Sequence, residues 1–374
     1  MPPRAMAVTG DPVYFAGVAF TGRAADTRQA FPHLSHVLNG DGYALVNRQI
    51  RQRLQGKDLA LNVVFDQLGS IKDAARSTAL ALAIDRESTS VEHIGGVYKL
   101  RLEIAAQALF FDFKEKQVLG GFPLTLDFID VRDEPPSEQE IQAAFAAMIV
   151  DGANAHSLVG EFAQLLGQVQ VPSAATRHLR VSAVTLQPKA LEYLAQAAPD
   201  VPVKTLQAQI AQEFGKYLAA NQRLSLLPYQ SDQALGASMA ARFVEGEAFD
   251  LKIPDADYEV TIDVAGFKKV EQSHANASTL FLYGAFADIA VREPVSGKVY
   301  FSQRIKQGAT KEVPVTQSSV DDWAASYETL LLLFNNFTQA LSAPDNAWTR
   351  SALPEGREAK DQLSHVAELV KSCR

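Results

Sequence analysis

The chain has 374 residues, 47% of them hydrophobic and 21% charged, which is enough apolar material for two or three domains with buried cores. With 22 glycines and 17 prolines it is neither collagen-like nor broadly disordered. A net charge of −8 argues against a general nucleic-acid binder, which needs a basic surface to displace counterions.

The opening residues carry Ala5-Met6-Ala7, a small-x-small pattern of the kind signal peptidase cleaves. No apolar segment precedes it. Two readings follow: a shortened export signal, which would place the protein in the periplasm or cell envelope, or a chance occurrence in a cytoplasmic chain. Nowhere is there an 18-residue apolar run, so no transmembrane helix is expected.

The chain reads as two tandem halves. Residues 1–11 form a flexible start, 12–170 a first repeat domain, 171–343 a second, and 344–374 a C-terminal tail with a short helix. The repeat rests on two matches at an offset of 160: Gln49–Leu54 with Gln209–Phe214, and Tyr98–Ile104 with Tyr258–Val264. In each half a strand comes first, Val13–Phe20 or Leu179–Leu186. A helix follows, with Tyr43, Val46, Ile50 and Leu54, or Leu206, Ile210, Phe214 and Leu218, on one face. Asn221 is placed at the left-handed end of the second of these helices. A second strand, Leu59–Phe65 or Leu224–Pro228, then leads to a small-residue helix, Asp73–Ile84 or Ala234–Phe243.

Long strands close each half. Tyr98–Phe113 alternates, with Leu100, Leu102 and Ile104 on one face and Lys99, Arg101, Glu103 and Gln107 on a solvated one. Asp263 is read as solvated in the same way. Lys114-Glu115-Lys116 and Arg292–Gly297 are turns. The aromatics Phe110, Phe111 and Phe113 lie on both faces of their strand, so both faces are expected to be covered. The second half has extra residues around Glu271–Thr279, polar and small, read as a protruding loop. His274, Asn276 and Ser278 are its candidate interaction residues. Helices capped by Ser137-x-x-Glu140 and Ser318-x-x-Asp321 end the halves. In the tail, Ala359, Leu363, Val366 and Val370 form an amphipathic helix expected to dock onto the body.

Chemistry-bearing patterns are sparse. His33-Leu-Ser-His36 lacks the glutamate of a zinc protease motif and reads as loop. Asp255-Ala-Asp257 reads as a turn. Gly236-Ala-Ser238-Met-Ala240 has a faint nucleophile-elbow form but no strand before it. No phosphate loop or dinucleotide fingerprint occurs. Asp85 with Glu87, and Asp321 with Asp322, read as surface or cap carboxylates. The single cysteine, Cys373, reads as a thiol at a frayed end, or as an attachment point. No cofactor and no catalytic or metal-binding residue is assigned.

The order strand, helix, strand, helix, long hairpin resembles the amino-terminal domain of the periplasmic protein TolB. It is also similar to related modules in the curli-secretion pore lipoprotein and in some flagellar-ring and cell-wall-synthase activator proteins. The resemblance spans most of each half, from Pro12 to Asp130 and from His178 to Gly308. It implies a mixed α/β (α+β) fold of two tandem domains, each a mixed sheet with a long β-hairpin and packed helices. It further implies an envelope-located, non-enzymatic docking or assembly module with no catalytic residues. The expected partners are envelope proteins or further copies of the chain, with no nucleic acid and at most peripheral membrane association. The alternative is an enzyme or small-ligand binder working in a groove between the halves.

Overall fold

The computed structural model describes residues 11–22, 26–55, 57, 59–65, 77–150, 156–173, 176–229, 238–243, 248–317 and 319–374. Ala5–Ala7, Gly236, Ser318 and residues 73–76 of the helix expected at Asp73–Ile84 lie outside them. The chain is a mixed α/β protein with one seven-stranded and one four-stranded sheet. It divides into two compact units. The first comprises residues 1–91, 99–174 and 235–254; the second comprises 92–98, 175–234 and 255–374. No helix among the described residues is long and apolar enough to cross a membrane.

In the first unit, β1 (Pro12–Thr21) leads through the short helices α1 (Thr27–Ala30) and α2 (Leu34–Val37) to α3 (Gly42–Leu54). Val46, Ile50 and Leu54 are the buried face of α3, as their spacing predicts. Strand β2 (Asn62–Val64) runs parallel to β1. Then comes an antiparallel meander of β3 (Thr78–Ile94), β4 (Val97–Asp112) and β5 (Gln117–Arg132), followed by α4 (Glu138–Ile149) and α5 (Leu158–Leu166). Ser137 and Glu140 form the expected reciprocal cap on α4. The run Thr78–Ile84, expected as helix, is strand. Ala79–Ile84 and Leu102–Phe111 are buried at every residue, so these strands are covered on both faces. A run buried all round shows neither helical nor strand periodicity, which is why the sequence misleads here.

The second unit repeats the plan. Strand β6 (Leu179–Leu186) precedes α6 (Pro188–Ala197) and α7 (Val203–Gln222). The left-handed residue ending α7 is Arg223, with φ 53°, not Asn221, which is still helical and donates to Asn335 and Thr338. Leu224–Pro228 makes a single bridge at Leu226 instead of a strand. The meander is β9 (Tyr258–His274), β10 (Ser278–Arg292) and β11 (Val299–Pro314). Helix α8 (Asp322–Ala340) is capped by the Asp321 side chain, which accepts from the Ala324 amide at 2.8 Å. Helices α9 (Ala347–Ala352) and α10 (Arg357–Lys371) belong to this unit, and α10 packs against β11. Cys373 is buried just beyond α10, and burial pushes its thiol up to about 11. It is therefore not a frayed attachment point.

With β7 (Ser238–Phe243) and β8 (Ala248–Lys252) the chain does something its order does not announce. These strands follow α7, yet they join the sheet of the first unit. β7 lies antiparallel to β1, with Thr21 opposite Ala241 and Ala19 opposite Phe243. β8 lies parallel to β5 at Gln117–Lys252. The strands β1-β3-β4-β5-β8-β7 thereby close into a ring, with β2 added beside β1. The segment read as the helix Ala234–Phe243 is thus strand over its described part, which also removes the elbow reading of Ser238.

This crossing explains an error in the repeat register. The helical match is sound: Val46, Ile50 and Leu54 are buried, as are Leu206, Ile210 and Phe214. The strand match is not. Tyr98 lies in β4, the second meander strand, whereas Tyr258 opens β9, the first. The counterpart of β9 is β3, so Tyr258 corresponds to Thr78. A β-bulge in β1 faces Leu80 and Ala81; the matching bulge in β6 faces Val260 and Thr261, which keeps the same correspondence. The strands are thus spaced more widely than the helices, by the length of Leu235–Pro254, the segment given to the first unit. Half-buried strands look alike whatever their place in a sheet, so alternation aligned the wrong pair.

Candidate interaction surface

The residues expected in a loop, Glu271–Thr279, mostly extend two strands. β9 runs to His274 and β10 starts at Ser278, leaving a turn at 275–277. His274 Nδ1 lies 2.8 Å from Thr279 Oγ1, and Ser278 Oγ donates to Glu312 on β11. Asn276 sits exposed in the turn. The Ala275 amide donates to Ser278 O at 2.9 Å, and the Val315 amide to Ala277 O at 3.0 Å. His274, Asn276 and Ser278 therefore lie together at the end of a three-stranded tongue. Polar residues reach that end because both sheet faces there are wet, and wet strands carry no apolar alternation for a sequence reading to find.

Among the described residues the tongue has a free edge. β6 pairs with β9 only as far as Leu186 opposite Val264. From Phe267 to His274 no described strand lies beside β9 on the side away from β10. Lys268 and Lys269 lie on this stretch, the charge pattern that keeps an edge from pairing indiscriminately.

One face of the tongue is anchored by the middle of α6 and the start of α8. Tyr283 Oη donates to Asp322 Oδ1 at 2.6 Å, and Lys269 Nζ meets the same oxygen at 2.7 Å. Burial, with Asp322 accepting the bond, pushes the Tyr283 phenol up. The Lys269 ammonium stands 4.2 Å from the Phe281 ring centre. Phe267 packs between Tyr193 and Trp323, at 5.3 and 5.7 Å between ring centres. Tyr193 Oη lies 2.7 Å from Ser326 Oγ. Asp322, read from sequence as a cap or surface carboxylate, is the hub of this anchor.

The opposite face carries a polar belt and an apolar step. In the belt, Asp263 and Asp288 sit directly opposite each other on β9 and β10. Gln187 Nε2 donates to both, at 2.7 and 2.9 Å. Arg304 grips Asp288 with two bonds of 2.7 Å and holds its carboxyl below the usual range. Thr185 Oγ1 donates to Asp263 at 2.7 Å. Beyond the belt, Gly284 faces Gly308 across the β10–β11 ladder. A methyl group on Gly284 would stand 3.4 Å from the Phe286 ring, and one on Gly308 would stand 3.2 Å from Leu282 Cδ1. The glycine pair thus leaves a floor over which Phe286 and Leu282 lie. Val270, opposite Leu282, is 38% exposed.

The other sequence candidates are accounted for locally. His33 faces two carboxylates, Glu87 at 2.8 Å and Glu138 at 3.0 Å, and stacks on Phe145. Glu87 also accepts from the His33 and Leu34 amides, so it caps α2 and is no surface residue. Asp85 is equally misplaced by the surface reading. Its carboxyl is enclosed, Gln107 Nε2 donates to both oxygens at 2.9 Å, and burial pushes it up to about 6. Glu103 is 2% exposed instead of solvated; burial raises it, against the pull of Arg86 and Arg101. Asp257 accepts from the His178 amide at 2.7 Å, a bond to a residue far away in the chain and not one that closes a local turn. Phe110 and Phe111 are both buried, and Phe113 packs on Phe249 of β8. Among the described residues no group of three or more His, Cys, Asp or Glu could hold a metal ion.

No protein-family model and no curated protein sequence matches the chain. Solved structures align over about half of it. The hypothetical protein CT253 from Chlamydia trachomatis aligns with 12% identity and a TM-score of 0.27, covering 47% of this chain and 99% of its own. A minor lipoprotein from Acinetobacter baumannii aligns with 10% identity and a TM-score of 0.22, covering 50% of this chain and 99% of its own.

Proposed function

We propose that the protein is a non-enzymatic docking or assembly module of the bacterial cell envelope, and that the β9–β10–β11 tongue is its docking element. One observation carries this reading: β9 continues past its last pairing with β6 and offers an unpartnered strand edge beside an apolar step. A partner strand can add there through backbone hydrogen bonds, while Val270, Leu282 and Phe286 supply the side-chain contacts that select it. The envelope setting is supported by the resemblance of each half's opening strand and helix, and its long hairpin, to the TolB-type module.

The test is site-specific photo-crosslinking in the native host. A crosslinker at Val270 is expected to give a discrete adduct in the envelope fraction. Placing Pro at Glu271 in the same protein removes an edge donor and is expected to abolish the adduct. A crosslinker at Val295, in the turn at the far end of β10, serves as the control. Equal adducts at Val270 and Val295, or none at Val270, would remove the tongue as the docking element.

A further inference from the structure

The free edge of β9 carries two adjacent lysines with different surroundings. Lys269, opposite Tyr283, belongs to the anchored face. Its ammonium is committed to Asp322 at 2.7 Å and lies 4.2 Å from the Phe281 ring centre. Lys268 stands on the other face, opposite Gly284, in the row that runs on to Gly308. It is exposed, and no carboxylate meets it among the described residues. Taking the tongue as the docking edge proposed above, we infer that the strand it accepts is an extended segment with an acidic side chain beside Lys268. An apolar side chain of the same segment lies two residues away, beside Val270.

Register sets the order of these two contacts. Lys268 and Val270 are opposite Gly284 and Leu282, so their side chains share one face and stand side by side along the edge. A strand laid there brings its own alternate side chains to about 4.8 Å from them. The one beside Val270 enters the apolar step with Leu282 and Phe286, and gains by being apolar. The one beside Lys268 meets an exposed ammonium and gains by being acidic. At the α6 end of the edge, a methyl group on Gly266 would stand 3.6 Å from Lys189 Cβ. Lys189 is exposed and likewise has no carboxylate partner among the described residues.

The carboxylates of this face are engaged elsewhere. Arg304 and Gln187 hold Asp288, Gln187 and Thr185 hold Asp263, and Ser278 holds Glu312. Glu271, opposite Phe281, belongs to the anchored face. On a chain of net charge −8, this edge is therefore locally basic, and it repels a basic strand as much as it attracts an acidic one. Lys306, opposite Phe286 on β11, is also exposed and unpaired among the described residues. It lies two strand spacings, about 10 Å, from β9. A strand added at the edge feels Lys268 far more than Lys306, whereas a flat anionic surface resting on the face meets both alike.

The test uses the full chain and labelled synthetic peptides in which Val alternates with Glu, Gln or Lys, read by fluorescence anisotropy. The Val/Glu peptide is expected to bind about 2–5-fold tighter than the Val/Gln peptide, the worth of one exposed charge pair, with a smaller margin in high salt. Lys268→Gln should erase the margin, and Lys268→Glu should turn it over in favour of the Val/Lys peptide. Lys306→Gln should leave most of it, and Glu271→Pro should abolish binding of every peptide. Equal binding of the Val/Glu and Val/Gln peptides, both lost in Glu271→Pro, would overturn the acidic partner and leave the docking edge in place. No binding, or binding that survives Glu271→Pro, would remove the edge and the acidic partner with it. Equal losses in Lys268→Gln and Lys306→Gln, with binding to phosphatidylglycerol vesicles weakened by both, would overturn the strand partner in favour of a lipid surface.

Discussion

At the residue scale the informative positions are carboxylates that the sequence shows as polar and the structure encloses. Asp85 has an ordinary carboxyl when unfolded and is pushed up to about 6 when folded. The folded state therefore holds its proton more tightly, and burial costs nothing below pH 4. The cost grows as pH rises from about 4 to 6 and is fully present above that, reaching about 2–3 kcal/mol. Asp85→Asn, which keeps an oxygen for Gln107, is expected to raise Tm at pH 7.5 and to change it little at pH 4. Equal shifts at both pH values would show that ionisation is not the cause. Glu140 behaves with the opposite sign. The Ser137 amide and hydroxyl, then Arg132, hold its carboxyl down at about 2. Its contribution is present above the ordinary carboxylate range and is lost as pH falls toward 2. Ser137→Ala removes the cap on α4 and should cost about 1 kcal/mol in denaturant unfolding at pH 7. The Ser137–Glu140 pair was legible because a cap is a local pattern within one turn of chain. Asp85 was not, because enclosing it takes Gln107 on another strand.

At the element scale the tongue shows how a strand's neighbours decide its role. Alternation along β10 marks one buried face, and Tyr283, Ala285, Ala287, Ile289 and Val291 are the covered set. It says nothing of the glycine pair, since Gly284 and Gly308 meet only through strand register. A side chain on Gly308 would push on Leu282, so Gly308→Val is expected to disturb the apolar step. The measurement is loss of the Val270 crosslink with secondary structure unchanged by circular dichroism; an unaltered crosslink would show that the step does not select the partner. The polar belt gives a second test. Arg304→Ala leaves Asp263 and Asp288 face to face with only neutral donors, and should cost on the order of 1 kcal/mol, less in high salt. A loss independent of salt would assign Arg304 a packing role instead.

At the scale of the whole molecule, the C-terminal helices are part of the second unit's body and not a tail. Leu363, Val366 and Val370 on α10 are buried, and Gln362 accepts from the Ser302 amide on the edge of β11 at 3.1 Å. Leu363→Ala should cost about 2–5 kcal/mol, the range for emptying a buried leucine site. Proteolysis of the second unit at 37 °C would register it; unchanged protection would mean that α10 docks without stabilising the unit.

Some of this protein was decided by its sequence alone. The periods of β1, β6, α3 and α7, the cap on α4, and the amphipathic α10 are local, and each reads correctly from spacing because the hydrophobic pattern of one element must match its own geometry. The two-unit plan was visible through the paired helices Gln49–Leu54 and Gln209–Phe214. Only the tertiary structure decided where β7 and β8 go, and with them the repeat register and the closed sheet of the first unit. A short buried strand carries no address: its apolar run fits any sheet with a gap, and the gap is made by residues far away in the chain. For the same reason the enclosure of Asp85 and Glu103, and the free edge of β9, follow from which strands stand beside them and not from their own sequence.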